Sequence, residues 1–116
     1  MAARHPYRRG DVVLVRFPFS DSAGQKSRPA VVISTDSYHD EWDEVLVVAV
    51  TSKPPRASRP TDCSVNDLNA AGLQQASWMR CHLATVHRRL ILHQLGRLSP
   101  ADLAAMELCL RLATGL

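Results

Sequence analysis

The first half of the chain carries three apolar, β-branched runs separated by polar punctuation. DVVLVRFPF, from Asp11 to Phe19, has a single internal charge and is bounded by Gly10 and by Ser20-Asp21, which predicts a largely buried strand. The loop SDSAGQKS supplies Ser, Asp and Gly, residues that turn a chain through local hydrogen bonds or by tolerating positive φ. RPAVVIST is a second strand, with Pro29 placed at its first residues, where a missing N–H is tolerated. DSYHDEWD lacks a consistent period and predicts a connection with a single helical turn. EVLVVAVTS is the third strand.

Antiparallel pairing of the second and third strands through that eight-residue connection gives residue numbers that sum to 79. Ile33 then meets Leu46, Val31 meets Val48, and Arg28 lies opposite Thr51. Directly opposite residues have Cβ atoms roughly 4.5 to 5.5 Å apart, so two polar groups meet where both strands leave the core. KPPRASRPTD reads as an extended surface loop, CSVNDL as a short strand, and SWMRCHLATV and LILHQLGRL as two more strands. The C-terminal SPADLAAMELCLRLATGL predicts a helix. Ser99 is its N-cap, Pro100 its first residue and Asp102 the capping-box position, with Leu103, Met106, Leu110 and Ala113 on one face.

Length and charge narrow the classes. At 116 residues and 46% hydrophobic content the chain makes one domain, 1–116, with 1–8 a basic N-terminal extension. The formal charge of +3 is carried mainly by Arg, whose planar fork suits phosphate, and this points to a polyanionic partner. Cys63, Cys81 and Cys109 show no ligand spacing and read as reduced, apolar residues. The five histidines form no cluster either, so no metal and no cofactor is expected. No apolar run approaches the roughly 18 residues of a membrane span, and the N-terminus lacks a signal-peptide core, so a cytoplasmic location is expected.

RGDVVLVRFPFSD, KSRPAVVIS, VAVTS and GRLSPADL, in that order, resemble the MazF/PemK family of toxins from type II toxin-antitoxin systems. The resemblance runs from about Arg9 to Leu112. It implies an SH3-like small β-barrel, mainly β with a C-terminal helix, that forms a homodimer. It also implies cleavage of single-stranded RNA without a metal, and silencing by a MazE-like antitoxin segment. The family's catalytic arginine and threonine carry over to Arg28 and Thr51. In such chemistry the RNA's own 2′-hydroxyl is the nucleophile. Arg28 stabilises the phosphorane, Thr51 donates a hydrogen bond or relays a proton, and Asp21 in the first loop is the candidate base. The products are a 2′,3′-cyclic phosphate and a 5′-hydroxyl.

Substrate contacts are expected from Ser20, Gln25, Lys26, Ser52, Lys53 and Arg56, with Arg59 extending the cationic track and Trp78 stacking on a base. Each position also has a plainer reading. Without the family pattern Arg28 reads as a solvated edge charge or a partner of the Asp36 to Glu44 acidic segment, Asp21 as an Asx-turn residue, Thr51 as a residue chosen for strand propensity, and Trp78 as part of a core or a dimer seam. Leu108 and Leu112, off the first apolar stripe, leave a helix face for a partner subunit or antitoxin. Two other functions fit the same barrel: a CcdB-like toxin that poisons a DNA topoisomerase, and an RNA-binding barrel that does not cut.

Overall fold

Every strand expected from the apolar runs forms in the computed structural model, which describes residues 6–17, 26–55 and 59–116. The elements are β1 (Asp11–Phe17), β2 (Lys26–Val32), α1 (Asp36–Glu41), β3 (Glu44–Thr51), β4 (Asp62–Ser64), α2 (Leu68–Ala71), β5 (Trp78–His87), β6 (Ile91–Arg97) and α3 (Pro100–Thr114). A 3-10 turn at Arg88–Leu90 joins β5 to β6. The strands form one antiparallel-paired sheet in the order β4-β5-β3-β2-β1-β6. CSVNDL is only partly a strand. Its last residues lead into α2, for which Asp67 is the N-cap and Gly72, at φ 72°, the left-handed terminator.

β2 starts two residues before the expected Arg28, so Pro29 is its fourth residue and not one of its first two. The ladder explains why that is tolerated. Ile33 donates to Leu46 O at 2.8 Å, so odd-numbered residues of β2 point their backbone groups at β3. The missing N–H of Pro29 faces β3, and the β2–β3 ladder ends at Ala30 opposite Ala49. The pairs Ala30–Ala49, Val31–Val48 and Val32–Val47 all sum to 79, the expected register.

Valines fill both faces of the sheet because its strands are buried on both sides. On one face Val12, Val31, Val48, Val50 and Met79 pack with Leu98 and Met106. On the other Val13, Val15, Val32, Val45, Val47 and Val86 pack with Ile91. α3 covers the first face. Met106, 1% exposed, contributes about 1.5–3 kcal/mol by leaving water. The buried stripe of α3 is Asp102, Met106 and Cys109, flanked by half-buried Leu103 and Leu110. Ala113 is exposed instead of sharing that face, since the last turn of the helix runs past the sheet into solvent.

Edges β4 and β6 do not pair with each other among the described residues, so the sheet is not a closed hydrogen-bonded cylinder. It becomes barrel-like through α2, which follows β4 and lies on β6. The approach is backbone to backbone. A Cβ at Gly96 would stand 2.4 Å from Ala70 O, and one at Gly72 would stand 1.9 Å from Leu95 O. Glycine is required at both positions.

The opening RGD and the late GRL turn out to be one clamp. Asp11, 4% exposed, accepts from Arg97 Nη1 at 2.8 Å and from the Arg8 backbone N–H at 2.8 Å. Leu98 donates to Gly10 O, and Gly10 to Val32 O. Arg9 donates to Ile33 O and pairs with Glu107 of α3 at 3.0 Å. No helix among the described residues is long and apolar enough to cross a membrane.

Candidate functional site

At the other end of β2, about 20 Å away at roughly 3.3 Å per residue, a different set of side chains gathers. Ser27 pairs with Arg16 and Arg28 with Val15 across β1, while Thr51 pairs with Trp78, and Trp78 with Ser64, across β3, β5 and β4. Continuing the observed β2–β3 register by two residues brings Arg28 opposite Thr51. Residues directly opposite share a face. Val15 and Arg28 on one side, and Thr51, Trp78 and Ser64 on the other, are thus two observed segments that the continued register would join into one row. Arg28 is exposed, with no acidic partner among the described residues, whereas Thr51 and Trp78 are half-buried. The alternative in which Arg28 pairs with the acidic α1 segment does not form, because α1 lies beyond the opposite end of β2.

Thr51 is held by its own loop. Its Oγ1 accepts the Lys53 backbone N–H at 3.1 Å, so the hydroxyl proton is left to point outward as a donor. A cleft of about 290 Å³ adjoins Thr51, just beyond the last β2–β3 pair. Pro29, Thr51, Ser52, Gln74, Gln75 and Ser77 are among its walls. Ser77 is buried, its Oγ donating to Gln75 O at 2.8 Å, which fixes the turn that carries both glutamines.

Of the residues expected at the site, Thr51 pairs with Trp78 and lines the cleft with Ser52, while Arg28 pairs with Val15 two residues beyond the last β2–β3 pair. Lys26 is exposed at the start of β2, and Lys53 and Arg59 are exposed on the β3–β4 connection. Ser20, Asp21, Gln25 and Arg56 lie outside the described residues. Gln74, Gln75 and Ser77 were not singled out from sequence. Their signal was the Asp67-to-Gly72 spacing, which marks a one-turn helix whose exit aims the next residues at the site.

The remaining reactive groups are elsewhere and are quenched. Cys63, Cys81 and Cys109 converge under α3. Burial and a hydrogen bond with Cys109 push the Cys63 thiol up to about 12, and burial raises Cys81. Neither is a thiolate nucleophile near neutral pH. His39 is 6% exposed and sits 2.5 Å from Ser34 Oγ, which itself accepts the Leu46 N–H at 3.0 Å. Burial lowers the His39 pKa despite Asp36 and Asp40 nearby. Among the described residues no cluster of His, Cys, Asp and Glu could hold a metal ion. A second cleft, about 490 Å³, adjoins the Asp11 clamp, but there Arg8, Arg9 and Arg97 face Asp36 and Glu107.

A family model for the PemK-like, MazF-like toxin of type II toxin-antitoxin systems matches residues 8–114. Among solved structures, an endoribonuclease in complex with its cognate antitoxin from a mycobacterial species is similar at 19% identity. It has a TM-score of 0.77, with 95% of this chain and 96% of that one covered. A MazE–MazF crystal structure from Deinococcus radiodurans is similar at 21% identity and TM-score 0.76, with 97% and 99% covered. The Mycobacterium tuberculosis toxin MazF-mt6 gives 19% identity and TM-score 0.73, with 91% and 97% covered. At these identities the structural likeness concerns the fold.

Proposed function

The chain belongs to the PemK-like, MazF-like toxins of type II toxin-antitoxin systems, and from that premise we propose that it is a metal-independent endoribonuclease cutting single-stranded RNA in the cytoplasm. The observation that carries the reading is the β2–β3 register, whose continuation sets Arg28 against Thr51. The 2′-hydroxyl upstream of the cut attacks the adjacent phosphorus. Asp21 accepts its proton, and the exposed guanidinium of Arg28 stabilises the charge that builds on the non-bridging oxygens. Thr51, whose oxygen is already an acceptor, donates its proton to one of those oxygens. The 5′-oxygen departs and takes a proton from water, leaving a 2′,3′-cyclic phosphate and a 5′-hydroxyl.

The cleft beside Thr51 suits a nucleobase, because the amides of Gln74 and Gln75 offer both donors and acceptors to a base edge. Trp78, opposite Thr51, offers a stacking surface, and Lys26, Lys53 and Arg59 offer phosphate contacts. Leu108 and Leu112 are 61% and 57% exposed on α3, an apolar face suited to a second copy in a homodimer. A MazE-like acidic antitoxin segment would compete with RNA for the cationic end of the sheet.

The test is incubation of purified protein with a long single-stranded RNA and a chelator, followed by analysis of fragment ends. Cyclic phosphate and 5′-hydroxyl ends are expected, and a 2′-deoxy residue upstream of the cut should block cleavage while leaving binding. Arg28→Ala should lower the rate about 10²–10³-fold, the usual loss for one oxyanion donor. Cutting at the deoxy position, or a Mg²⁺ requirement with 5′-phosphate ends, would refute the mechanism. Growth arrest without any RNA cleavage would favour the topoisomerase-binding alternative.

A further inference from the structure

The row next to Arg28, Thr51 and Trp78 contains a second arginine. Ala30 faces Ala49, Ala49 faces Arg80, and Arg80 faces Asp62, so all four share the face that carries Thr51 and Trp78. Arg80 is the diagonal neighbour of Thr51, a separation of about 7–8 Å between such positions. It is two residues from Trp78 on the same strand, and therefore on the same side of it. The two positions that follow it across the sheet are both alanines, so the side chain has space toward β2. Arg80 is half-buried, yet its Nε is buried without a hydrogen-bond partner among the described residues. Asp62, directly across from it, keeps Oδ2 unpartnered as well, and the two do not form an ion pair. A buried donor left unmade at a sheet's charged end is unusual in folded proteins and marks a position at which a ligand completes the set.

We propose that Arg80 binds a phosphate of the RNA strand next to the one cleaved, so that Arg28 and Arg80 grip successive phosphates while the intervening base stacks on Trp78. The assignment rests on the nuclease reading. Arg80 is then a binding and positioning residue. It sets where the strand lies over Thr51, and it contributes nothing to the charge that develops in the transition state.

The experiment measures binding of a short fluorescein-labelled 2′-O-methyl RNA, carrying the mapped cleavage sequence, as a function of salt. Each phosphate contact to a single strand contributes about −0.7 to the slope of log affinity against log salt. Arg80→Gln should therefore flatten the slope by about 0.7, weaken binding about fivefold at 0.1 M salt, and be largely rescued by Arg80→Lys. On cleavable RNA, KM should rise while kcat stays within about twofold of wild type, the signature of lost uniform binding. Asp62→Asn should leave the slope as it is. If Arg80→Gln keeps the wild-type slope and lowers stability by the same amount as Asp62→Asn, Arg80 is only Asp62's structural partner and the assignment is wrong. If wild-type protein does not bind the oligomer at all, the nuclease reading falls and this inference with it.

Discussion

Replacing Asp102 with Ala should unfasten the wall of the cleft from the far side of the molecule. Asp102 is 1% exposed on the first turn of α3, and its backbone N–H bonds Ser99 Oγ at 3.1 Å, as a capped helix requires. Its carboxylate does not return to the helix's own first turn. It crosses to the β4–α2 connection, where Asn66 N–H reaches both oxygens at 3.1 Å and Asp67 N–H reaches Oδ2 at 2.9 Å. Asp67 in turn caps α2, whose exit carries Gln74 and Gln75. Truncation leaves two backbone donors without their charged acceptor, at about 1–3 kcal/mol each. It also removes a negative charge from the N-terminus of α3, about 0.3–1 kcal/mol. Asn66 and Asp67 are exposed residues, so water replaces part of the loss. Alanine's better helix propensity returns up to about 0.7 kcal/mol. The expected net cost is about 2–4 kcal/mol. Urea unfolding of both proteins measures it as a lower midpoint at constant m. A cost under about 1 kcal/mol would show that the carboxylate does not hold α3 to α2.

Two further outcomes follow from the same geometry. Gly96→Ala places a Cβ against the backbone of Ala70 and Ala71, which must move, so stability should fall by about 1–3 kcal/mol and RNA affinity should drop with the displaced α2 exit; unchanged thermal unfolding would contradict the close approach. His39 has a folded-state pKa below its unfolded value near 6.5, so the unfolded chain takes up the proton first as pH falls. Stability should be complete above that value and decline between about pH 6.5 and the lower folded pKa. His39→Gln should flatten the decline, and an equal slope in both proteins would remove His39 from the account.

The strands were legible because valine-rich runs bounded by Gly, Pro and Asp admit few alternatives. The β2–β3 register was legible because α1 is short enough to fix it. What the sequence concealed was carried by contacts between distant segments. The Asp102 carboxylate was read as a capping-box member, since its partners Asn66 and Asp67 are adjacent only once α3 has docked. Gly72 and Gly96 have no local signature of their mutual approach to one helix exit. Gln74 and Gln75 carry no signal of their own in the sequence, and only the fold places them in the same cleft wall as Thr51. Arg80 sat unremarked inside an apolar run, because its significance lies in Ala49 and Asp62 on other strands.

The charge of the molecule is also divided in a way that composition hides. Arg9 pairs with Glu107, Arg97 with Asp11 and Arg88 with Asp43, and the clamp formed by the first two lies at the far end of β2. Lys26, Arg28, Lys53, Arg59 and Arg80 form no ion pair among the described residues, and they belong to the strand ends and the connection around Thr51. A net +3 whose neutralised arginines serve the fold therefore leaves its largest group of unpaired cations at one end, while Arg8, Arg89 and Arg111 stand without an ion pair elsewhere among the described residues. Such an asymmetry orients an approaching polyanion and raises its encounter rate in a salt-dependent way, which a uniform scatter of the same charges would not do. The same feature explains why the three family motifs with arginine are of two kinds. The RGD and GRL arginines are held by carboxylates and stabilise the sheet, whereas the RP arginine stands free, and a free guanidinium is the one able to meet a phosphate.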